Sequence, residues 1–329
     1  MTVQKGGIMQ TNNVLITGGT GSLGRALVRR FLAAGVPRVC TYARCEVRQA
    51  QLIEGYPQVH AFVGDVRDRE RLERCLGGVD TVIHAAALKR VDGGAYHPDE
   101  MHKTNVLGMQ AVIDACAHVG SVKRLLLISS DKACQPTNIY GASKLMAEYL
   151  ATAANSYTVP RGLRVSAVRY GNVLGSRGSV VHIWRQAISR GEHLVITDPD
   201  MTRFWLTLDQ ACDLVSDALD IMCGGELIVP CLPSMRLLDV AEALAPGHPR
   251  IFAGLRPGGE KLAERLLSDE ETSRALMVNG RIVVPPAHHS WTVEERTGEA
   301  LPEGLIYQSD LAPFGWLSVE AMREWLLTV

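Results

Sequence analysis

Short apolar runs alternate with amphipathic stretches through the first two thirds of the chain. The runs are continuous and rich in Val, Ile and Leu, which is typical of strands buried on both faces of a parallel sheet. The stretches between them repeat apolar residues with the 3.6-residue period of a helix. The predicted strands cover residues 14–16, 39–42, 59–63, 81–84, 123–128 and 163–169. This alternation predicts an α/β fold with a doubly wound parallel sheet of the Rossmann type.

Beyond about residue 200 the regular alternation of strand and helix ends. The elements predicted there are a helix at 208–222, a strand at 226–229 that closes the main sheet, and short helices at 237–244, 260–267 and 318–327. The sequence has no internal repeat and no low-complexity linker. We therefore expect a large body of residues 10–170 and 203–230, carrying a smaller, mostly C-terminal domain of residues 171–202 and 231–329.

Charge and composition exclude several classes of function. With 34 basic and 35 acidic side chains, the chain has no excess charge to attract nucleic acid or a membrane surface. The first residues form no apolar signal segment and no run is long enough to span a bilayer, so a cytoplasmic protein is expected. The eight cysteines are scattered without a CxxC pair, which predicts neither a metal site nor a disulfide framework.

A glycine-rich turn joins the first predicted strand to the first helix. Its glycines keep the turn tight and let backbone N–H groups and the helix N-terminus approach a pyrophosphate. Placed between a strand and a helix, the pattern predicts a dinucleotide site. The predicted contacts in this turn are Gly18, Thr20, Gly21, Ser22, Leu23 and Gly24.

The end of the second strand indicates which dinucleotide binds. NAD-binding proteins usually carry an acid there for the ribose hydroxyls, whereas this chain has Ala43 and Arg44, with Arg48 one turn later. An arginine suits the 2′-phosphate of NADP, so we predict NADP. The alternative for Arg44 is a solvated surface charge. The cofactor contacts predicted at later strand ends are Asp65 and Val66 beside the adenine, Ala85 where the backbone comes close, and Lys89 at a diphosphate.

The stretch 129–144 carries the candidate chemistry. Asp131 and Lys132 follow a buried strand, so they lie at the carboxyl edge of the sheet, where ligands bind. Tyr140 and Lys144 share one helix face, so the ammonium group can lower the pKa of the phenol and create a base. The alternatives are an exposed helical Tyr/Lys pair and an Asp131 that only caps the turn.

Longer motifs resemble the extended short-chain dehydrogenase/reductase superfamily, and within it the inverting UDP-N-acetylglucosamine 4,6-dehydratases. The matching segments are residues 86–89, 130–133, 169–173, 176–180, 196–204, 307–310 and 316–320. Asp131 and Lys132 discriminate most sharply, because retaining dTDP-glucose 4,6-dehydratases carry Asp-Glu there and sugar-nucleotide 4-epimerases carry neither acid nor base. A related C5-epimerising branch has methionine where this chain has Tyr140.

The resemblance implies a reaction that regenerates its NADP in every turnover. Tyr140, held together with the nicotinamide ribose by Lys144, would take the 4-hydroxyl proton while C4 is oxidised. Lys132 would then remove the C5 proton as a general base, and Asp131 would protonate the departing 6-hydroxyl. The hydride would return to C6 and reprotonation would invert C5. Ser130 stands where the family usually has threonine and would supply the same hydroxyl to the substrate.

The resemblance also implies a nucleotide-sugar substrate, UDP-N-acetylglucosamine or a close analogue, and a homo-oligomer. The large body would bind NADP and the smaller domain the nucleotide sugar. The residues implied to hold the substrate are Lys89, Asn172, Arg177, Thr197, Arg203, Arg256 and Glu260. Arg203 could instead form a structural ion pair.

Three positions depart from the family pattern. The usual RPGEK followed by LHE contains here an extra glycine, at Gly258 and Gly259, and Ala263 in place of histidine. Cys45 replaces the acid that follows the cofactor arginine. Three alternatives stay open: a sugar-nucleotide 4-epimerase, a retaining dehydratase and a non-catalytic NADP sensor, the last of which usually lacks a Tyr/Lys pair.

Overall fold

The computed structural model describes residues 11–90, 96–288, 291 and 296–329. Residue 10, the predicted start of the large body, lies outside them. The described strands are β1 Asn13–Thr17, β2 Arg38–Ala43, β3 His60–Val63, β4 Thr81–His84, β5 Arg124–Ile128, β6 Arg164–Val168, β7 Asn172–Val173, β8 Leu194–Ile196, β9 Thr202–Leu206, β10 Leu227–Pro230, β11 Ser234–Arg236, β12 Arg250–Phe252, β13 Leu276–Val278, β14 Arg281–Val284 and β15 Glu299–Ala300. All six strands predicted for the first half are present.

The described helices surround these strands. They are α1 Ser22–Ala33, α2 Glu46–Gly55, α3 Arg69–Cys75, α4 Pro98–Met101, α5 Gly108–Val119, α6 Ile139–Thr158, α7 Val180–Ser189, α8 Leu208–Ile221, α9 Leu237–Leu244, α10 Asp269–Arg274 and α11 Val319–Leu326. A π-helical segment, His102–Leu107, joins α4 to α5. The helical run from Pro98 to Val119 is therefore continuous but widened in its first part.

A ten-stranded sheet forms the centre of the large body, in the order β15-β13-β14-β10-β6-β5-β4-β1-β2-β3. From β3 to β10 neighbouring strands are parallel. The strand order reverses between β1 and β4, so the carboxyl ends of these two strands flank a crevice suited to a ligand. The predicted doubly wound parallel sheet is confirmed.

The prediction that the strand at 226–229 closes the main sheet is wrong. β14 pairs with β10 in antiparallel orientation, and β13 and β15 extend the same edge. Asn279 and Gly280, both with positive φ, form the turn between β13 and β14. This Asn-Gly dipeptide is a typical hairpin turn. Residues 276–284 thus join the large sheet, although the sequence placed them in the smaller domain.

The prediction of a helix at 260–267 is also wrong, because the backbone groups of this segment form hydrogen bonds with other parts of the chain. Thr202 N donates to Leu262 O over 3.0 Å, and Ser309 N donates to Glu264 O over 2.9 Å. Tyr307 O accepts from the N–H of Leu266. These bonds replace the i to i−4 ladder of a helix, and the segment stays extended against β9.

The buried apolar residues of the described ranges form two cores. The larger one fills both faces of the main sheet and includes the buried strands β1, β4 and β5. The smaller one packs α7, α9 and α11 around Trp184 and Trp205. β9 belongs to both, because Phe204 faces the larger core and Trp205 the smaller one. The division into two functional domains remains a prediction, but separate cores support it.

Candidate active site

The glycine-rich turn lies between β1 and α1, at the crevice of the sheet. α1 begins at Ser22 after Gly21, and no side chain caps this end, so no side chain satisfies the first N–H groups of the helix. Gly18 packs on the end of β4, where an added Cβ would stand 2.9 Å from the backbone of Ala86. This turn can therefore accept an anionic group at close range.

His84, at the end of β4, is a structural residue. Its Nδ1 is 2.8 Å from Thr17 Oγ1, and the ring is buried. Burial, with a smaller effect from the charge of Lys144, lowers the pKa of His84 to about 3. A ring that stays neutral and hydrogen-bonded here holds β1 and β4 together, as expected for a satisfied core histidine.

Arg44, Asp65 and Arg67 meet beyond the ends of β2 and β3. The side chain of Arg44 is half exposed and lies 3.9 Å from Asp65 Oδ2. Arg67 binds both oxygens of Asp65, at 3.0 and 2.7 Å. Burial opposes ionisation of Asp65, but the hydrogen bonds from Arg67 outweigh it and lower the pKa of that carboxyl. The predicted adenine contact is thus an ion-paired acid, and Arg44 remains accessible to a ligand.

The loop after β5 forms a single 3-10 turn, Asp131–Ala133. Ser130 Oγ accepts the N–H of Lys132 and donates to Asp131 Oδ1 over 2.8 Å. Lys132 Nζ donates to the same oxygen over 3.1 Å. Asp131 is buried, and its other oxygen, Oδ2, has no hydrogen-bond partner among the described residues. The predicted acid and base are thus adjacent and hydrogen-bonded.

α6 carries Tyr140 and Lys144 and is fixed to this loop at its first turn. Asn138 caps the helix by accepting the N–H of Gly141 over 2.9 Å. An added Cβ at Gly141 would come within 2.1 Å of Lys132 O, so only glycine lets the helix approach so closely. Tyr140 and Lys144 are both buried. The alternative of an exposed helical Tyr/Lys pair is therefore wrong.

The charges around Tyr140 differ from those expected. Burial raises the pKa of Tyr140, and the nearby charge that lowers it is that of Lys132, not Lys144. The Lys144 ammonium instead donates to Ile128 O over 2.6 Å. Burial lowers the pKa of Lys144 to about 8, against the charge of Glu148. The predicted effect of Lys144 on the phenol is corrected: in this structure Lys132 has that effect.

Two residues that sequence reasoning did not assign complete the acid–base cluster. Glu264, nearly fully buried, places Oε1 3.4 Å from Lys132 Nζ and Oε2 3.4 Å from Lys261 Nζ. Lys261 also donates to Cys134 O over 2.9 Å. Burial favours the neutral amine of Lys132, but Asp131 and Glu264 together raise its pKa. Lys261 is the lysine of the segment compared with the RPGEK motif, so that motif was the signal that could have pointed to it.

Arg203 holds the segment that contains Glu264. Its guanidinium is buried and donates to the carbonyls of Thr202, Lys261 and Leu262 over 2.7 to 3.0 Å. Glu260 lies 3.9 Å away. These contacts fit the structural alternative for Arg203 better than exposure to a diphosphate.

Arg256 and Glu260 form an ion pair over 2.6 Å at the open end of the same segment, and the Arg256 side chain is largely exposed. The structure thus places these two predicted substrate residues together. Asn172 lies on β7 and Thr197 directly follows β8, both half-buried in the smaller domain.

Arg177 lies against the glycine-rich turn. Its N–H donates to Ser22 Oγ over 3.0 Å, and its guanidinium donates to Thr20 O. Lys89 Nζ donates to Arg177 O over 3.1 Å. Burial and the charge of Arg48 lower the pKa of Arg177. Arg177 was predicted for the substrate, but here it contacts the predicted cofactor turn. Lys89, predicted for both the cofactor and the substrate, contacts Arg177 and not the turn itself.

Two further features of the described residues concern metal binding and membrane spanning. No group of three or more His, Cys, Asp or Glu side chains in the described ranges is arranged to hold a metal ion. Within the same ranges, none of the helices combines the length and apolar character needed to cross a bilayer.

The fold and the site define an enzyme of the extended short-chain dehydrogenase/reductase class. A solved structure of the same fold, the Thermus thermophilus UDP-glucose 4-epimerase in complex with NAD, matches with a TM-score of 0.64 and 25% identity, covering 75% of this chain and 88% of that one. The X-ray structure of Pen from Bacillus thuringiensis matches with a TM-score of 0.88 and 32% identity, covering 97% of this chain and 99% of that one.

Sequence similarity gives the family. Residues 14–286 match the family described as polysaccharide biosynthesis protein. The chain is 40% identical over 324 residues to the UDP-N-acetylglucosamine 4,6-dehydratase (inverting) of Campylobacter jejuni subsp. jejuni serotype O:2, which covers 95% of this chain and 96% of that one. The chain belongs to the polysaccharide biosynthesis protein family.

Proposed function

We propose that this protein is an NADP-dependent nucleotide-sugar 4,6-dehydratase that acts on UDP-N-acetylglucosamine and inverts C5. The observation that carries the proposal is the buried contact between Asp131 and Lys132, 3.1 Å apart, beside Tyr140. An acid and a base on one turn are what elimination of water across C5 and C6 requires. The similarity to the Campylobacter jejuni dehydratase, which extends over nearly both chains, supports the same reaction.

The side chains act in the following order. Tyr140 takes the proton of the 4-hydroxyl while C4 is oxidised to a ketone, and the ketone acidifies the C5 proton. Lys132 removes that proton, and Asp131 gives a proton to the 6-hydroxyl, which leaves as water. The ammonium group of Lys144, which donates to Ile128 O, would position the nicotinamide ribose next to Tyr140. A nicotinamide dinucleotide held at the glycine-rich turn would supply the redox chemistry, the oxidation at C4 and the later reduction at C6.

The residues present fit such a dinucleotide. The uncapped N-terminus of α1 and the close packing of Gly18 on Ala86 leave a backbone surface suited to a pyrophosphate. Arg44, half exposed at the end of β2, supports NADP over NAD because a guanidinium can bind the 2′-phosphate through paired hydrogen bonds. Arg48 stands one helical turn away on α2.

The nucleotide part of the substrate is assigned to the smaller domain, including its segment around residues 256–264. Arg256 and Glu260 offer a cation and an acceptor at the open end of that segment. Asn172 and Thr197 complete the proposed uridine side, while Lys89 and Arg177 would bind phosphates between the cofactor and the sugar nucleotide. Arg203 is assigned a supporting role, since its donors are already used by backbone carbonyls.

The second candidate function is a sugar-nucleotide 4-epimerase, favoured by the shared fold with the Thermus thermophilus enzyme. An epimerase needs the Tyr/Lys pair but has no use for an acid and a base facing C5 and C6. The buried Asp131–Lys132 pair, with one carboxylate oxygen free, therefore favours dehydration. A non-catalytic NADP sensor is opposed by the buried Tyr140 and Lys144.

The test is incubation of the purified protein with UDP-N-acetylglucosamine and a trace of NADP. We expect a product lighter by one water, and in heavy water a single deuterium at C5 with the inverted configuration, read by NMR. A product of unchanged mass would replace the dehydratase proposal with the epimerase. Deuterium at C5 with retained configuration would make the enzyme a retaining dehydratase.

A further inference from the structure

Glu264 is a buried carboxylate that lies between two lysines. Its oxygens are each 3.4 Å from an ammonium nitrogen, that of Lys132 on one side and that of Lys261 on the other. The side chain is almost completely buried. A carboxylate in this position has lost most of its hydration, so the cations around it, Lys132, Arg203 and Lys261, are what keep it charged. Its partners therefore decide its charge, and it in turn affects theirs.

The groups that face Lys132 come from four elements. Asp131 lies beside it on the 3-10 turn, Tyr140 faces it from α6, Arg203 from β9, and Glu264 from the segment before α10. Asp131 and Glu264 attract the ammonium, whereas Arg203 repels it. Lys132 is thus held by two carboxylates, at 3.1 Å and 3.4 Å.

The segment that bears Glu264 is attached to the catalytic turn at several points. The carbonyl of Gly259 accepts from Thr137 Oγ1 over 2.7 Å and from Asn138 Nδ2 over 3.1 Å. Lys261 reaches Cys134 O. These bonds fix the start of the segment, and the backbone bonds of Glu264 O and Leu266 N to residues 309 and 307 fix its end, so Glu264 is presented to Lys132 at a defined position. The contact is built by the fold and does not depend on a mobile surface side chain.

We propose that Glu264 is a positioning residue that holds Lys132 against Asp131 and, balanced by Lys261, keeps one proton on the Asp131–Lys132 pair. The inference rests on the proposed dehydration. In the resting pair the proton is on Lys132. Passing it along the 3.1 Å hydrogen bond to Asp131 gives an amine and a carboxylic acid at once, which are the base and the acid that elimination needs.

The number of protons is conserved across the elimination step. The Lys132 amine takes the C5 proton and becomes ammonium, while the Asp131 carboxylic acid gives its proton to the 6-hydroxyl and becomes carboxylate. The C5–H and C6–O bonds break, the C5–C6 double bond forms, and water leaves. The pair returns to its starting charge state, and the negative charge of Glu264 favours that state because it stabilises the ammonium.

The first experiment measures the titration of Lys132 without any substrate. Lysine amines are labelled with a trace of acetic anhydride at increasing pH, and each site is quantified by mass spectrometry. The side chain of Lys132 is 23% exposed, so the reagent can reach it. In Glu264→Gln we expect half-labelling of Lys132 at a pH lower than in the wild type by at least about one unit, because one of its two carboxylates is neutral.

The labelling experiment has two controls, one within the same protein and one in a second variant. The exposed amine of Lys103 should label at the same pH in both proteins. Glu270→Gln, which removes an exposed carboxylate from α10 of the same region, should leave Lys132 unchanged. Identical labelling of Lys132 in wild type and Glu264→Gln would overturn the proposal. This readout stands apart from the reaction, so it remains valid if the substrate proves to be another nucleotide sugar.

The second experiment follows the pH dependence of kcat. Loss of the shared proton inactivates the pair, so the alkaline fall of kcat should move to lower pH in Glu264→Gln. We also expect kcat to drop between about tenfold and a hundredfold with little change in KM, because a misplaced base costs rate and not binding. An unchanged alkaline fall and an unchanged kcat would contradict the positioning role.

Glu264→Asp guards against a variant that fails to fold. It keeps the charge on a shorter side chain, so the pH at which Lys132 is labelled should recover toward the wild-type value even if kcat stays low. If Glu264→Asp labels like Glu264→Gln while both melt at the wild-type temperature, the charge of Glu264 does not act on Lys132 and the proposal is wrong. If wild type shows no dehydration, the proposed function fails while the labelling result still judges Glu264.

Discussion

Asp131 and Lys132 are neighbours in one 3-10 turn, and their side chains face each other with 3.1 Å between Oδ1 and Nζ. Asp131 Oδ2 is buried and lacks a hydrogen-bond partner among the residues described. A buried carboxylate oxygen left in this state is costly unless a ligand or water uses it. Under the proposed function, this oxygen is where we expect the leaving 6-hydroxyl of the sugar to bind.

Replacing the base should stop elimination while leaving oxidation intact. In Lys132→Ala we expect dehydration of UDP-N-acetylglucosamine to fall at least about 100-fold, because removal of the C5 proton loses its general base. NADP binding should not change, and reduced nicotinamide should accumulate because the 4-ketone intermediate is not converted further. Product mass and nicotinamide absorbance measure the two effects. Lys103→Ala, an exposed lysine of the π-helical segment, is the control. Full turnover by Lys132→Ala would remove this residue from the mechanism.

Replacing the acid should separate proton removal at C5 from loss of the hydroxyl. Asp131→Asn keeps a side chain of the same shape but has no carboxylic proton to give. We expect recovered substrate to carry deuterium at C5 after incubation in heavy water, with product formation reduced at least about 100-fold. NMR of the recovered nucleotide sugar measures the exchange. Dehydration at the wild-type rate would show that another group protonates the 6-hydroxyl.

The sequence predicted the parallel half of the fold well because that half follows local rules. Buried strands such as 124–128 are continuous apolar runs, and the carboxyl edge of a parallel sheet collects ligand-binding residues. Asp131, Tyr140 and Lys144 follow from this reasoning, and the structure places them together. The hairpin of β13 and β14 was missed although Asn279 and Gly280 mark its turn.

The part of the site that sequence reasoning missed depends on contacts distant along the chain. Glu264 meets Lys132 across more than a hundred residues, and its segment is extended because Arg203 and β9 use the backbone groups that a helix would need. A local apolar pattern at 260–267 predicts a helix, and only the tertiary partners reverse that prediction. The role of Lys144 toward Tyr140 failed for the same reason, since Ile128 O takes its ammonium group.

Removing the arginine at the end of β2 should change the preference between the two dinucleotides. In Arg44→Ala we expect NADP affinity to fall by about tenfold or more, with NAD affinity changed little, because a charge-assisted hydrogen bond to the 2′-phosphate is lost. Isothermal titration with both dinucleotides measures the ratio. Arg74→Ala removes a largely exposed arginine of α3 and serves as the control. Equal losses for NADP and NAD would contradict the assigned role of Arg44.

The extra glycine of this chain offers a matched pair of variants. Gly258 and Gly259 both have positive φ, but an added Cβ meets nothing within 4 Å at Gly258 and comes within 2.1 Å of Thr137 O at Gly259. Each alanine should cost about 1 to 3 kcal/mol of stability through backbone strain. Only Gly259→Ala should also shift Thr137 and Asn138, and with them the first turn of α6. We expect a larger loss in Tm and a lower kcat for Gly259→Ala, measured by thermal melting and turnover. Equal kcat in the two variants would show that the catalytic turn tolerates the displacement.

A buried carboxylate at the start of β10 should make stability depend on acid pH. Glu226 is buried and accepts hydrogen bonds from Ser166 Oγ, Gly224 N and Arg296, at 2.6 to 2.7 Å. Burial alone would raise the pKa of Glu226, but the bonds to Arg296 and Ser166 lower it below its ordinary value. Since the folded pKa is lower than the unfolded one, about 4.3, this contribution is complete above that pH and is lost as pH falls through the folded pKa.

Glu226→Gln should therefore destabilise the protein at neutral pH and flatten its acid response. We expect a loss of about 3 to 5 kcal/mol near pH 7, because the guanidinium of Arg296 is left buried without its charged partner. As pH falls below about 4, the wild type should lose stability more steeply than the variant, so the two curves converge. Chemical denaturation across this range measures both quantities, with the exposed Glu303→Gln as the control. Curves that stay parallel down to acid pH would show that the pKa of Glu226 is the same in the folded and the unfolded protein, which would contradict the stabilising role assigned to its ion pair.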